Sequence, residues 1–183
     1  EGIQSDIGQM DAIIGQFLDY AKPTEASSFT NVDISELLTD SAHEAGRMQD
    51  VRVTTDIADG AHVMGNATDL KRVINNLIEN ARRYGRTPHA DVTEIDIKCS
   101  IKGAGAAKRV TIEVQDHGCG VPDDQIDQLL KPFTRLDAAR GQANGAGLGL
   151  AIVDRVLLRH EAELVVSNRE GGGLLIQIGM KAI

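Results

Sequence analysis

Residues 66–84 read NATDLKRVINNLIENARRY, and the rest of the chain is most easily placed around this stretch. Leu70, Val73, Ile74, Leu77, Ile78 and Ala81 recur at helical spacing, so they form the apolar stripe of a long amphipathic helix that must pack on a core. Asn66 or Thr68 supplies its N-cap, where the first backbone N–H groups have no acceptor within the helix. Asn76, Asn80 and Arg83 fall at i, i+4 and i+7 on one face, away from that stripe. Asparagine is a mediocre helix former because its amide competes for backbone hydrogen bonds, so the pair on one face points to a use. An amide oxygen is a hard neutral ligand suited to Mg²⁺ that keeps its waters and bridges phosphates; a solvated polar face is the plainer alternative.

Upstream, Asp33 and Glu36 resemble a capping box for a helix with Ile34, Leu37, Leu38, Ala42 and Ala45 on its apolar face. Residues 51–57 alternate like a strand. Downstream, strands are predicted around 92–101 and 109–116, joined by a turn at Gly103 and Gly105, with a short helix near 123–130. Residues 131–146 are polar and Gly-rich without periodicity, and a connection of that length is more often a lid or binding loop than a spacer. A helix over 148–159 and strands over 163–168 and 174–180 follow, with Gly171, Gly172 and Gly173 marking the last hairpin. Residues 32–183 thus read as one α/β unit.

Residues 1–22 have a different pattern. Ile3, Ile7, Met10, Ile14, Phe17 and Ala21 form a heptad stripe, which suits either a bundle completed by another helix or an amphipathic helix packed on its own domain. Lys22-Pro23 ends it, and residues 23–31 read as a linker. An opening at Glu1-Gly2 in mid-pattern suggests a piece of a longer protein. The net charge of −8 argues against general nucleic-acid binding, which needs clustered Lys and Arg. Cys99 and Cys119 have no metal-ligand spacing, and a reducing compartment is the better expectation. No apolar run reaches the ~18 residues of a membrane span, so this segment is expected to make no membrane contact.

Three further motifs carry chemistry. Asp116, at a strand end before Gly118 and Gly120, could accept a hydrogen bond from an exocyclic amine while the glycines let a flat ring approach the backbone; a simple Asp/Gly turn is the alternative. Phe133 and Arg135 open the long loop, Phe133 placed to pin it to the core and Arg135 to reach outward. Gly145, Gly147 and Gly149, with Leu148 between the last two, precede a helix whose N-terminal N–H groups suit phosphate. A dinucleotide fingerprint is rejected, because Leu150 takes its last glycine position and a loop, not a strand, comes before it.

In this order the motifs resemble the N, G1, F and G2 boxes of the ATP-binding domain of sensor histidine kinases, within the wider GHKL group of ATPases. The resemblance covers about residues 29–183, and residues 11–20 resemble the second helix of the dimerisation hairpin in osmosensor kinases of the EnvZ or RisS type. It implies an α+β fold, a two-layer sandwich (the Bergerat fold) of a mixed sheet with helices on one face. It also implies Mg²⁺ on Asn80, with Asn76 and Arg83 beside the phosphates of ATP. Tyr84 would border the adenine, Asp116 would bind its amino group, and Gly118 and Gly120 would make room for the ring. Residues 131–147 would form a lid containing Phe133 and Arg135, and the backbone at Gly145, Gly147, Leu148 and Gly149 would wrap the triphosphate. Glu79 is a candidate carboxylate to assist the attacking imidazole.

The implied reaction moves the γ-phosphoryl to a histidine, for relay to a response regulator by a homodimer in the cytoplasmic part of a bacterial inner-membrane protein. The family's acceptor motif is absent: His43, His62, His89, His117 and His160 all lack its context, although His43-Glu44 and His160-Glu161 copy its first two letters. ATP binding without self-phosphorylation is therefore expected. Other GHKL ATPases usually carry Glu where Asn76 stands, to activate water; a non-enzymatic dimerisation or regulatory module is the remaining alternative.

Overall fold

The computed structural model describes residue 15, residues 28–134 and residues 147–183, so the heptad positions from Ile3 to Ala21 lie outside the described residues. Strand β1 (Thr30–Asp33) leads directly into helix α1 (Ile34–Ala45), where the Asp33 carboxylate accepts the Glu36 N–H at 3.0 Å. Strands β2 (Val51–Ile57) and β3 (His62–Gly65) precede helix α2 (Ala67–Tyr84). Of the caps available to α2, Asn66 is the one used: its Oδ1 accepts the Asp69 N–H at 2.9 Å. Strands β4 (Thr93–Lys102) and β5 (Arg109–Asp116) follow. A 3₁₀ turn, Asp123–Gln128, stands where a short helix was expected; none of its residues is buried, so no apolar face draws it into a longer helix. Helix α3 (Gly149–Arg159) and strands β6 (Glu163–Asn168) and β7 (Leu174–Lys181) complete the order.

Five strands form one mixed sheet in the order β2-β4-β5-β7-β6, with β2 and β4 parallel and the other neighbours antiparallel. The register aligns Ile97, Val114, Ile176 and Val166 across one face. The apolar sides of all three helices join these residues in one core, and this gives the expected two-layer sandwich with helices on one face. The other face is polar, with Gln177 donating to Glu113 at 2.9 Å. Leu77 is 1% exposed in the middle of the α2 stripe, and truncating such a side chain to Ala costs about 2–5 kcal/mol.

Sequence reading missed the separate β1–β3 pair, in which Val32 lies opposite Val63. The linker expected over 23–31 therefore ends early, because Thr30 and Asn31 are already in β1. Helices α2 and α3 run antiparallel. Arg159 donates to Asp69 at 3.0 Å at one end of their contact, and Gly149 faces the Asn76 amide oxygen at the other.

His160 fastens the far end. Its Nε2 accepts the Asn66 N–H at 3.1 Å, so Nδ1 carries the proton and donates to the Val156 carbonyl at 2.8 Å. The ring stacks on Phe29 with centroids 4.6 Å apart. Both nitrogens are thus used inside the fold, so the copied letters at His160-Glu161 mark a structural cross-link.

Candidate nucleotide-binding site

Strand β5 delivers Asp116 to the C-terminal end of α2. The side chain is buried, and its Oδ1 accepts the N–H groups of Gly118 at 2.9 Å and Leu174 at 3.2 Å. Burial pushes its carboxyl above the ordinary aspartate range, and those two N–H groups oppose the shift. Both bonds fall on Oδ1, which leaves Oδ2 as the oxygen for a ligand donor. Three glycines pack around this carboxylate. A Cβ on Gly85 would collide with the Asp116 side chain, and one on Gly118 would come within 2.9 Å of the Gly85 Cα. Gly173, at φ +94°, has its hydrogen against the Asp116 carbonyl, where no side chain fits. The result is a floor of bare backbone with one buried carboxylate at its edge.

Asn168 on β6 holds the adjoining loop. It accepts the Val121 N–H at 3.0 Å and donates to the Val121 carbonyl and to Asp123, each at 2.7 Å, beside Gly120. About two and a half turns back along α2 from Gly85, Asn76 turns its amide nitrogen onto the Arg72 carbonyl at 2.8 Å. Its oxygen faces the start of α3, 3.5 Å from where a Gly149 Cβ would stand. No side-chain cap closes α3, whose first internal bond runs from the Ile152 N–H to the Leu148 carbonyl at 2.9 Å. The N–H groups of Gly149, Leu150 and Ala151 come before that bond, and with the helix dipole they favour an anion. The site thus brings one buried carboxylate among close-packed glycines together with, along α2, an anion-favouring helix end.

Residues 65–182 match the family described as histidine kinase-, DNA gyrase B-, and HSP90-like ATPase. The chain belongs to that family. Among sensor proteins it is 32% identical over 179 residues to the phosphate regulon sensor protein PhoR of Pseudomonas aeruginosa, and 28% identical over 186 residues to the sensor histidine kinase CpxA of Escherichia coli. These alignments take in 93% and 97% of this chain but 38% of each relative. The solved histidine kinase domain of the E. coli osmosensor EnvZ matches with a TM-score of 0.62 and 27% identity, covering 88% of this chain and 93% of that one. The mycobacterial sensor histidine kinase MprB matches in fold with a TM-score of 0.70 at 23% identity, covering 84% of this chain and 97% of that one. Within its family the chain is an ATP-binding catalytic domain of the sensor histidine kinase type.

The remaining expected residues of this ATPase-family domain fall in different places. Asn80, Arg83 and Tyr84 are partly buried on α2. Glu79 is claimed by two guanidinium groups, Arg83 Nε at 2.6 Å and Arg82 Nη1 at 3.4 Å, and Arg82 also donates to Asp50 at 2.9 Å. Leu148 is fully buried in the core, so what it can offer a ligand is its backbone. Phe133 does not pin the loop to the core: its side chain is 61% exposed, and its N–H donates instead to the Gly147 carbonyl at 3.0 Å. That backbone bond does the fastening. Arg135 and Gly145 lie outside the described residues.

Gly85 and Asn168 escaped sequence reading. Gly85 follows the asparagine helix directly and could have been noticed as a helix-ending glycine, but nothing local marks it as the neighbour of Asp116. Asn168 sits in an ordinary strand end, and its partners are 45 and 47 residues away.

Proposed function

We propose that this domain binds Mg-ATP and moves its γ-phosphoryl group to a histidine on a separate helix, for relay to a response regulator. The observation that carries this reading is Asp116: a buried carboxylate with one oxygen tied to backbone N–H groups, among glycines packed so closely that none could carry a side chain. Adenine lies on that floor and donates its exocyclic N–H to Oδ2, with Tyr84 at its border. The triphosphate runs along α2 past Asn80 and Asn76 to the N–H groups that open α3.

Asn80 would hold Mg²⁺ through its amide oxygen. When bound, the ion neutralises charge on the phosphates. Asn76 is an amide and cannot take a proton from water, which favours transfer over hydrolysis. Glu79, with Arg82 and Arg83 on its oxygens, serves as a positioning residue for Arg83. In the transfer, the attacking imidazole nitrogen bonds to the γ-phosphorus as the bond to the β–γ bridging oxygen breaks, and ADP leaves. Positioning and charge neutralisation supply most of the rate.

The acceptor comes from outside the described residues: none of the five histidines has an acceptor-type context, and His160 is locked. In this reading the intact protein acts as a membrane-attached dimer; no described helix is long and apolar enough to cross a membrane. Calorimetry with Mg-ATP tests the binding. Radiolabelled ATP, with and without an added acceptor helix hairpin, tests the transfer. Absence of Mg-ATP binding sinks the whole reading, and stable label on this chain's own histidines sinks the external acceptor.

A further inference from the structure

Arg72 carries a charge that the fold leaves unused. Its Nε and Nη2 are buried, and neither has a hydrogen-bond partner. Guanidinium N–H groups that have lost water and gained no acceptor cost free energy, so a position of this kind suits an anion that arrives from outside. The nearest acid on its own face, Asp69, is committed to Arg159 at 3.0 Å.

Its place along α2 identifies the anion. The base end of the site is fixed at the C-terminus of α2, where Gly85 packs on Asp116. Moving toward the N-terminus, Asn80 comes first, then Asn76 at the level of the α3 N-terminus, then Arg72 one turn, ~6 Å, further on. Arg72 therefore lies beyond the phosphate-binding start of α3, on the side away from the base. We infer that Arg72 binds the terminal phosphate of the nucleotide and so distinguishes a triphosphate from a diphosphate. This rests on the ATP reading above. On this assignment the guanidinium serves the phosphate group that departs, and it takes no part in holding the α- and β-phosphates.

The test is calorimetry on the full chain with Mg-ADP and with Mg plus a non-hydrolysable ATP analogue, for the wild type, Arg72→Gln and Arg72→Lys. The expected result is triphosphate affinity weaker by about 10- to 100-fold in Arg72→Gln, with ADP affinity held within about twofold and partial recovery in Arg72→Lys. The ligand-free melting temperature of Arg72→Gln should not fall, because the cation has no partner to lose. Equal loss of both nucleotides overturns the assignment to the terminal phosphate, and so does unchanged affinity for both. If the wild type binds neither nucleotide, the ATP reading itself fails. If the wild type binds both and the variant still binds them alike, only the role of Arg72 fails.

Discussion

Replacing Asp116 with Asn makes opposite demands on binding and on stability. The Oδ1 position accepts N–H groups from Gly118 and Leu174, so the amide of Asp116→Asn must place its oxygen there. Its nitrogen then stands where Oδ2 was, so under the proposed reading a donor would face the exocyclic donor of adenine. A charge-assisted hydrogen bond is lost and a buried donor is left unpaired, together about 2–4 kcal/mol, or roughly 30- to 700-fold in affinity for Mg-ATP. The same amide can donate to a carbonyl, so inosine triphosphate should lose far less affinity, or gain.

Stability moves the other way. Burial raises the carboxyl's pKa in the folded state. An acid raised in this way contributes stability below its unfolded pKa, near ~4, and loses that contribution as pH rises through the folded value. Above that folded value the ionised carboxylate is a burden that the neutral amide removes. Ligand-free Asp116→Asn should melt higher than the wild type at pH 7, and the gap should close as pH falls through the carboxylate range. Calorimetry with both nucleotides and thermal melts at several pH values check the pair of effects. A folded variant that binds Mg-ATP within about threefold of the wild type refutes the role given to Asp116.

Other substitutions probe the rest of the site. Asn80→Ala should bind ATP with little dependence on Mg²⁺, read by titration with and without a chelator; an unchanged Mg²⁺ requirement removes Asn80 from the metal site. Cys119 is exposed between Gly118 and Gly120, whereas burial pushes the Cys99 thiol up to about 11. An alkylating reagent near pH 8 should therefore label one thiol quickly, and Mg-ATP should slow that labelling; two equally fast thiols, or no protection, contradict this. His160→Ala removes two hydrogen bonds and the Phe29 stack, about 2–4 kcal/mol in urea unfolding, and a change below about 0.5 kcal/mol would mean the cross-link is idle.

The parts of the fold that sequence showed well were those with long periods and local caps. The α2 stripe from Leu70 to Ala81 and the Asn66 cap lie within one window, so spacing alone places them. β3 was invisible because His62–Gly65 is too short to show alternation, and its partner β1 begins in residues whose composition resembles a linker. Asp116 could be read from two glycines just after a strand. Gly85, Gly173 and Asn168 could not, because each matters only through a neighbour 31 or more residues away. Arg72 was hidden for another reason: an arginine on a helix surface is ordinary until its burial without a partner is seen.

The backbone floor formed by Gly85, Gly118 and Gly173 has a consequence for how this site can change over time. A surface made of side chains can drift one residue at a time, each step adjusting shape or charge. Here each glycine abuts Asp116 or another of the three, so even a methyl group collides and intermediate steps are closed. Variation is driven outward to the rim, and a flat molecule with a single donor, shaped to this floor, would meet few routes by which resistance could arise.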